Sequence, residues 1–276
     1  MSSSPSNVLP TQVKALTFDI FGTVVDWRSS VIDELNTLAE SKLRASTGDD
    51  TTPETAQARE VLGRLTREDW ARFAQQWRDS YKRFTAGFIP GTTPWKDVDA
   101  HHLDSLTVLL REWGLAAAFP DPEEVQRLSR AWHRLRPWPD SSAGLRLLGR
   151  RFITATLSNG NTSLLEDLNE FGGLGFGAIL SAEDFRAYKP SREVYDGAVR
   201  ELGLENPRDV AMVAAHLGDL AGARRAGLRT VYVERPQEED WRKDEERYQQ
   251  AKEWVDIWIP EGEDGFVELA SRLGLT

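Results

Sequence analysis

The sequence predicts an α/β protein, a doubly wound parallel sheet with helices on both faces and an inserted helical cap domain after the first strand. Three observations carry this. Short β-rich runs alternate with helical patterns between residues 140 and 235, and that alternation builds a parallel sheet. A similar run stands alone near the N-terminus, over a hundred residues earlier. The chain between them repeats apolar residues at helical spacing and offers no convincing strand.

Composition bounds the answer further. At about 150 residues per domain, 276 residues make one to two folding units. A 40% hydrophobic content with 21 glycines is ordinary for a globular chain, so bulk disorder is excluded and a large core can form. Lys plus Arg is 34 against 44 for Asp plus Glu, a balance of −10. That disfavours nucleic acid and anionic membrane as partners, since both need basic surface. A small anionic substrate held by one local cation remains open. No cysteine means no disulfide, thiolate catalysis or Cys-ligated metal. No apolar run approaches the ~20 residues that span a bilayer. Ser-rich Met1 to Asn7 lacks a signal-peptide pattern, so residues 1–12 are expected as a flexible tail and the protein as cytoplasmic.

In chain order, Val13 to Phe18 forms the first strand and delivers Asp19 into a tight turn with Gly22 and Thr23. The insert, residues 27–136, contains the stripe Trp70, Phe73, Trp77, Tyr81 and Phe84. Leu103, Leu106, Leu110 and Trp113 repeat it, as do Val125, Leu128, Trp132 and Leu135. The Thr-, Asp- and Pro-rich segment 46–57 is expected as a loop within it. Pro137-Trp138-Pro139 rejoins the core as a stiff segment. The core domain therefore comprises residues 13–26 plus 137–276. Phe152 to Leu157 is the second strand, followed by Ser158-Asn159-Gly160 and a helix over 162–171. Ala178 to Leu180 is the third run, before Lys189-Pro190 and a helix over 192–202. Val210 to Ala214 is the fourth, before Asp219 and a small-residue helix that Gly227 ends as its C′ residue. Leu228 to Val233 is the fifth. The charged stretch 238–254 is expected as a solvated or edge-packing helix without chemistry.

In such sheets ligands bind beyond the carboxyl ends of the strands. Asp19, Ser158 and the loops of Lys189 and Asp219 share that edge. Each has an ordinary alternative: Asp19 as a turn residue, Ser158 as a helix cap, Asp219 as an N-cap, and Arg78 as a surface cation lying over Trp77. His101 and His102 lack any metal-ligand pattern and are expected to be structural.

Phe18-Asp19-Ile20-Phe21-Gly22-Thr23, Leu157-Ser158-Asn159-Gly160 and Tyr188-Lys189-Pro190, in that order, resemble the motifs of the haloacid dehalogenase-like hydrolase superfamily. The likeness spans residues 13 to 233 and implies a Rossmann-like hydrolase core with a cap. Phosphatases of that superfamily carry a second Asp two residues after the first, as a proton donor. Phe21 stands there and can neither give nor take a proton. They also use an acid pair after the fourth strand to hold magnesium. Here Ala214-Ala215-His216-Leu217-Gly218-Asp219 leaves Asp219 as the obvious carboxylate, a weakened site for an ion that wants hard oxygen ligands. The chain is similar to the type II (L-2-haloacid) dehalogenases, which need no metal or cofactor and expel halide.

That resemblance implies Asp19 as nucleophile on the halogen-bearing carbon, with the ester then hydrolysed by water. It implies Thr23 steadying the loop or the water, Lys189 holding Asp19 ionised, and Asp219 orienting Lys189 or the water. Arg78 meets the departing halide, Ser158 binds the substrate carboxylate with amides of the following helix, and Asn159 contacts the halide. Tyr195 matches the family Tyr six residues after Lys189, and Ile20 and Phe21 complete the substrate side. Partners implied are a small 2-halo acid, the halide product and a second copy in a homodimer.

Two positions depart from that pattern. Ala214 and His216 replace a Ser and an Asn that position the hydrolytic water, which puts the second half-reaction in doubt. The expectation is that neutral His216 takes the task over by accepting the water's proton near pH 7. A phosphatase or phosphonatase-like hydrolase, and a non-catalytic small-anion binder on the same fold, remain as alternatives.

Overall fold

The computed structural model describes residues 9–45 and 52–276. The fold opens with β1 (Ala15–Phe18) and a short β2 (Val25–Asp26). Five helices follow: α1 (Trp27–Ala45), α2 (Pro53–Arg64), α3 (Arg67–Ala86), α4 (Val98–Glu112) and α5 (Pro122–Ser129). After β3 (Arg136–Pro137) come α6 (Ser141–Leu148), β4 (Ile153–Thr156), α7 (Thr162–Phe171), α8 (Arg192–Glu201), β5 (Val210–Ala214) and α9 (Leu217–Ala226). The chain ends with β6 (Arg229–Val233), α10 (Glu246–Trp254), β7 (Ile257–Ile259) and α11 (Gly265–Arg272).

The main sheet is parallel throughout, in the order β4-β1-β5-β6-β7. Successive residues of a strand point to opposite faces, and the burial follows. Leu16, Phe18, Ala211 and Val213 join Leu145 and Leu148 of α6 and Phe266 and Leu269 of α11 in one core. Ala15, Val210, Met212 and Ala214 join Val194 and Ala198 of α8 and Leu220 and Ala223 of α9 in the other. Apolar residues on both faces of one strand force helices onto both sides. Because β1 lies between β4 and β5, the crevice beyond its carboxyl end is the expected ligand position.

The helical insert leaves and returns side by side, since β2 and β3 pair antiparallel. Its α3 starts at a Thr66–Asp69 capping box and buries Trp70, Phe73, Trp77 and Tyr81. Trp27, Trp77 and Trp132 pack into one another, with ring centroids 5.8 and 5.4 Å from that of Trp132. Phe21, on the turn after β1, meets Trp132 of this cluster with ring centroids 6.1 Å apart, which docks the insert onto the core-side turn.

Several expectations need correction. Residues 178–180 make only isolated bridges, Ala155 to Ala178 and Ser158 to Ser181, so the third run is an irregular crossover beside β4. The fifth strand of the sheet is instead β7, hidden in sequence by its three-residue length. The helix expected over 238–254 starts only at Glu246. Residues 1–8 of the expected tail, and 46–51 of the expected loop, lie outside the described residues. Leu9 is buried in the core, so the tail expectation fails there. The loop expectation fails from Thr52, which caps α2. Among the described residues no helix is long and apolar enough to cross a membrane.

Candidate active site

The backbone holds sheet register one residue past β1: the Asp19 amide donates to Val213 O at 3.0 Å. The chain then reverses around the Ile20 carbonyl, which accepts the amides of Thr23, Val24 and Val25. This turn brings Thr23 back onto the acid. Thr23 Oγ1 donates to Asp19 Oδ2 at 2.8 Å and accepts the Ala215 amide at 2.9 Å. His216 Nδ1 donates to the same Oδ2 at 3.1 Å. Among the described residues, Asp19 Oδ1 accepts one hydrogen bond, from Lys189 Nζ at 2.9 Å. Lys189 also donates to Asp219 Oδ2 at 2.6 Å, and Tyr195 Oη donates to Asp219 Oδ1 at 2.6 Å. The Lys189 loop is itself tied down, its amide donating to Asn159 Oδ1 at 2.7 Å.

These contacts set the charges. Burial opposes ionisation of Asp19, but Lys189 and His216 outweigh it and hold the carboxyl far below the usual range. Burial likewise opposes charge on Lys189, and the two aspartates override it and raise its pKa. Asp219 moves the other way: burial, aided by the charge of Asp19, raises it despite Lys189. For His216, burial is overridden by Asp19 and Glu238, and its pKa is pushed up to about 10. This corrects the expectation of a neutral base. At pH 7 the free enzyme carries His216 as an imidazolium, a donor to Asp19 with no lone pair to offer water.

Above these residues lies a cleft of about 330 Å³ between the sheet edge and α3. Asp19, Arg78, Asn159, Lys189, His216 and Asp219 all line it. Lys82 of α3 bridges to Asp240 across its mouth at 2.7 Å. Arg78 is 5% exposed and, among the described residues, makes no hydrogen bond or ion pair. Its guanidinium instead faces the rings of Phe21, Trp27 and Tyr81, at 5.3, 5.5 and 4.6 Å from their centroids. A buried cation without an anion is costly, so the geometry suits an incoming anion.

Thr23 and Tyr195 hydrogen-bond to Asp19 and Asp219 without lining the cleft. Phe21 is buried and meets Arg78 with its ring face. Of the residues expected on the substrate side, Ile20, Phe21, Ser158 and Tyr195 do not line the cleft. The Ile20 side chain is buried away from the cleft and its carbonyl builds the turn. Ser158, 1% exposed, accepts the Gly160 amide at 3.3 Å and does not line the cleft. The helix after it offers less than expected as well, because its first amide, Thr162, already donates to Glu183. Asp219 is not an N-cap: α9 begins at Leu217, with His216 at the cap position.

The sequence reading missed Glu238. It is 6% exposed, and its Oε2 accepts Trp27 Nε1 at 3.0 Å and stands 3.4 Å from His216 Nε2. That is ion-pair distance without hydrogen-bond alignment. It presses on Gly22, where a Cβ would lie 2.0 Å from Oε2. Gly22 is thus needed twice, for its φ of +85° and for this approach. Glu238 follows the carboxyl end of β6, and that position was the available signal.

Fold and site together define a hydrolase of the capped, doubly wound type with a carboxylate at its centre. The family model of haloacid dehalogenase-like hydrolases matches residues 13–227. The chain is 28% identical over 227 residues to (S)-2-haloacid dehalogenase 4A of Burkholderia cepacia, covering 81% of this chain and 84% of that one. It is 35% identical over 118 residues to (S)-2-haloacid dehalogenase 1 of Pseudomonas sp. strain CBS-3, covering 52% of that protein. Among solved structures, a defluorinating L-2-haloacid dehalogenase aligns with a TM-score of 0.74 at 31% identity, covering 95% of each chain. A further L-2-haloacid dehalogenase aligns with a TM-score of 0.74 at 34% identity, covering 95% of this chain and 99% of that one. The protein belongs to the haloacid dehalogenase-like hydrolases.

Proposed function

We propose that the protein hydrolyses short L-2-haloalkanoic acids to D-2-hydroxy acids and halide through an ester on Asp19. One observation carries this: an ionised aspartate and an unpaired arginine face the same small cleft. Asp19 Oδ1, with one hydrogen bond, keeps a lone pair for attack, whereas Oδ2 has both committed. Oδ1 attacks the substrate carbon from behind and inverts it, while the halide leaves toward Arg78 and its aromatic surround. Asn159 lines the cleft, where it contacts the departing halide. Water then attacks the Asp19 carbonyl carbon, with Asp219 orienting Lys189 and the water. Residues 27–136 act as the cap over a core of 13–26 and 137–276.

The residues fit magnesium poorly. The Lys189 ammonium fills the space between the Asp19 and Asp219 carboxylates, and Phe21 supplies no side-chain oxygen. Halide, unlike an alcohol, needs no proton to leave, which suits the absence of an acid at Phe21. This supports metal-independent dehalogenation over phosphatase chemistry.

Halide release from each enantiomer of 2-chloropropionate, with chelator present and Asp19→Asn as control, tests the proposal. Turnover of the L form with inversion, lost in Asp19→Asn, is expected. Heavy-oxygen water should label Asp19 over repeated cycles. Magnesium-dependent phosphate release from p-nitrophenyl phosphate, with no halide release, would overturn it.

A further inference from the structure

The dehalogenase chemistry leaves one buried carboxylate against the site, Glu238, without a task. Resting on that chemistry, we propose that Glu238 is a positioning residue for the second half-reaction. Reaching past Gly22, it holds His216 as the donor that, with Thr23, receives the negative charge on Asp19 Oδ2 when water opens the ester.

The two Asp19 oxygens are not equivalent. With Oδ1 in the ester bond, Oδ2 is the carbonyl oxygen, already facing Thr23 Oγ1 at 2.8 Å and His216 Nδ1 at 3.1 Å. Two donors preset on the oxygen that will carry charge form an oxyanion hole. Water bonds to the Asp19 carbonyl carbon as one of its protons passes to Asp219, and the C=O electron pair moves onto Oδ2. That pair then returns, the bond from the carbonyl carbon to Oδ1 breaks, and Oδ1 leaves in the product with the proton from Asp219. The remaining proton of the added hydroxyl goes to solvent, which restores the carboxylate and leaves one atom of water oxygen in it.

Esterification also removes the charge of Asp19, one of the two carboxylates against His216. Glu238 is the one that remains in contact. Glu239 is farther off and accepts the Leu217 and Trp241 amides, and Asp219 is tied to Lys189 and Tyr195. Without Glu238 a buried imidazolium would lose its proton, and the hole would lose its charged donor just when the ester needs it.

Single-turnover rapid quench with intact-protein mass spectrometry separates halide release from ester decay. In Glu238→Gln, ester decay should slow about tenfold or more beyond any change in halide release, so the Asp19 ester accumulates. The loss of ester decay toward high pH should move to lower pH, and Glu238→Asp should restore part of both. Gln keeps an acceptor for Trp27, and NMR of the side chains of the four histidines reads His216 directly; its pKa should fall by about one unit or more. Ester decay in Glu238→Gln that matches wild type, or that speeds up as His216 deprotonates, would overturn the proposal and leave the dehalogenase reading standing. A wild-type enzyme that releases no halide would remove both.

Discussion

Arg235 links stability to the nucleophile loop, and its removal gives a sharp prediction. Its guanidinium makes a two-pronged pair with Asp140 at 2.6 and 2.8 Å, and its Nε donates to Thr23 O at 3.1 Å. Both partners are nearly closed to solvent, at 8% and 6% exposure. Arg235→Leu leaves the Asp140 carboxylate buried with the Phe266 amide as its remaining long-range donor. Breaking one side of a buried pair costs about 3–5 kcal/mol. At about 2–4 °C per kcal/mol for a chain near this size, Tm should fall by roughly 6–20 °C. Urea unfolding followed by tryptophan fluorescence at pH 7 measures the free-energy loss, and a thermal scan the fall in Tm. The double variant Asp140→Asn/Arg235→Leu removes the orphaned charge and should recover part of the loss. Burial opposes ionisation of Asp140, yet Arg235 and the Phe266 amide hold its pKa below the ordinary value. The pair's contribution is therefore present above the unfolded pKa near 3.9 and fades as pH falls through the depressed one. A loss under about 1 kcal/mol at pH 7, or a double variant less stable than the single, would refute the reasoning.

Three further outcomes follow from the site. Arg78→Met should cut halide release by about 10²–10³-fold while leaving Tm unchanged or higher, since it removes a buried cation that has no protein anion; a clear drop in Tm would show a hidden structural partner. Because Asp19 stays ionised far into acid, first-turnover halide release should be flat from about pH 8 down to about pH 5, and a step near pH 4–5 would place its pKa in the ordinary range. His133, gripped by Asp99 and Asp167 at 3.0 and 2.7 Å, has its pKa raised against the pull of burial. That stabilisation is full below the unfolded value near 6.5 and is lost as pH rises through the folded one, so His133→Gln should lower Tm more at pH 6 than at pH 9.

The strands that can be read from sequence are those with uninterrupted apolar burial. Ala15–Phe18 and Val210–Ala214 are central, buried on both faces, and their composition says so. Ile257–Ile259 is an edge strand of three residues after a charged helix, and nothing local distinguishes it from a turn. Ala178 to Leu180 has strand composition, but it spends its hydrogen bonds on bridges and on Thr156 Oγ1, a choice made by tertiary contact. The site divides the same way. Asp19, Asn159 and Lys189 sit at a strand end or in loops and Asp219 in the first turn of the helix after β5, and topology alone brings them together. The family resemblance points to Arg78, and its lack of an ion pair among the described residues becomes visible only with α3 packed against Phe21 and Trp27.

The charge state of His216 was the least legible feature, because it depends on a carboxylate distant in sequence. A histidine next to one aspartate could be acid or base at pH 7; two carboxylates at a buried imidazole decide for the cation. Glu238 could have been suspected from two facts that are weak when separate. It follows a strand end on the ligand edge, and Gly22 in the first motif leaves room that no other residue would leave. Their combination is a statement about space, and it ties the glycine of the nucleophile turn to the proton on the imidazole beside it.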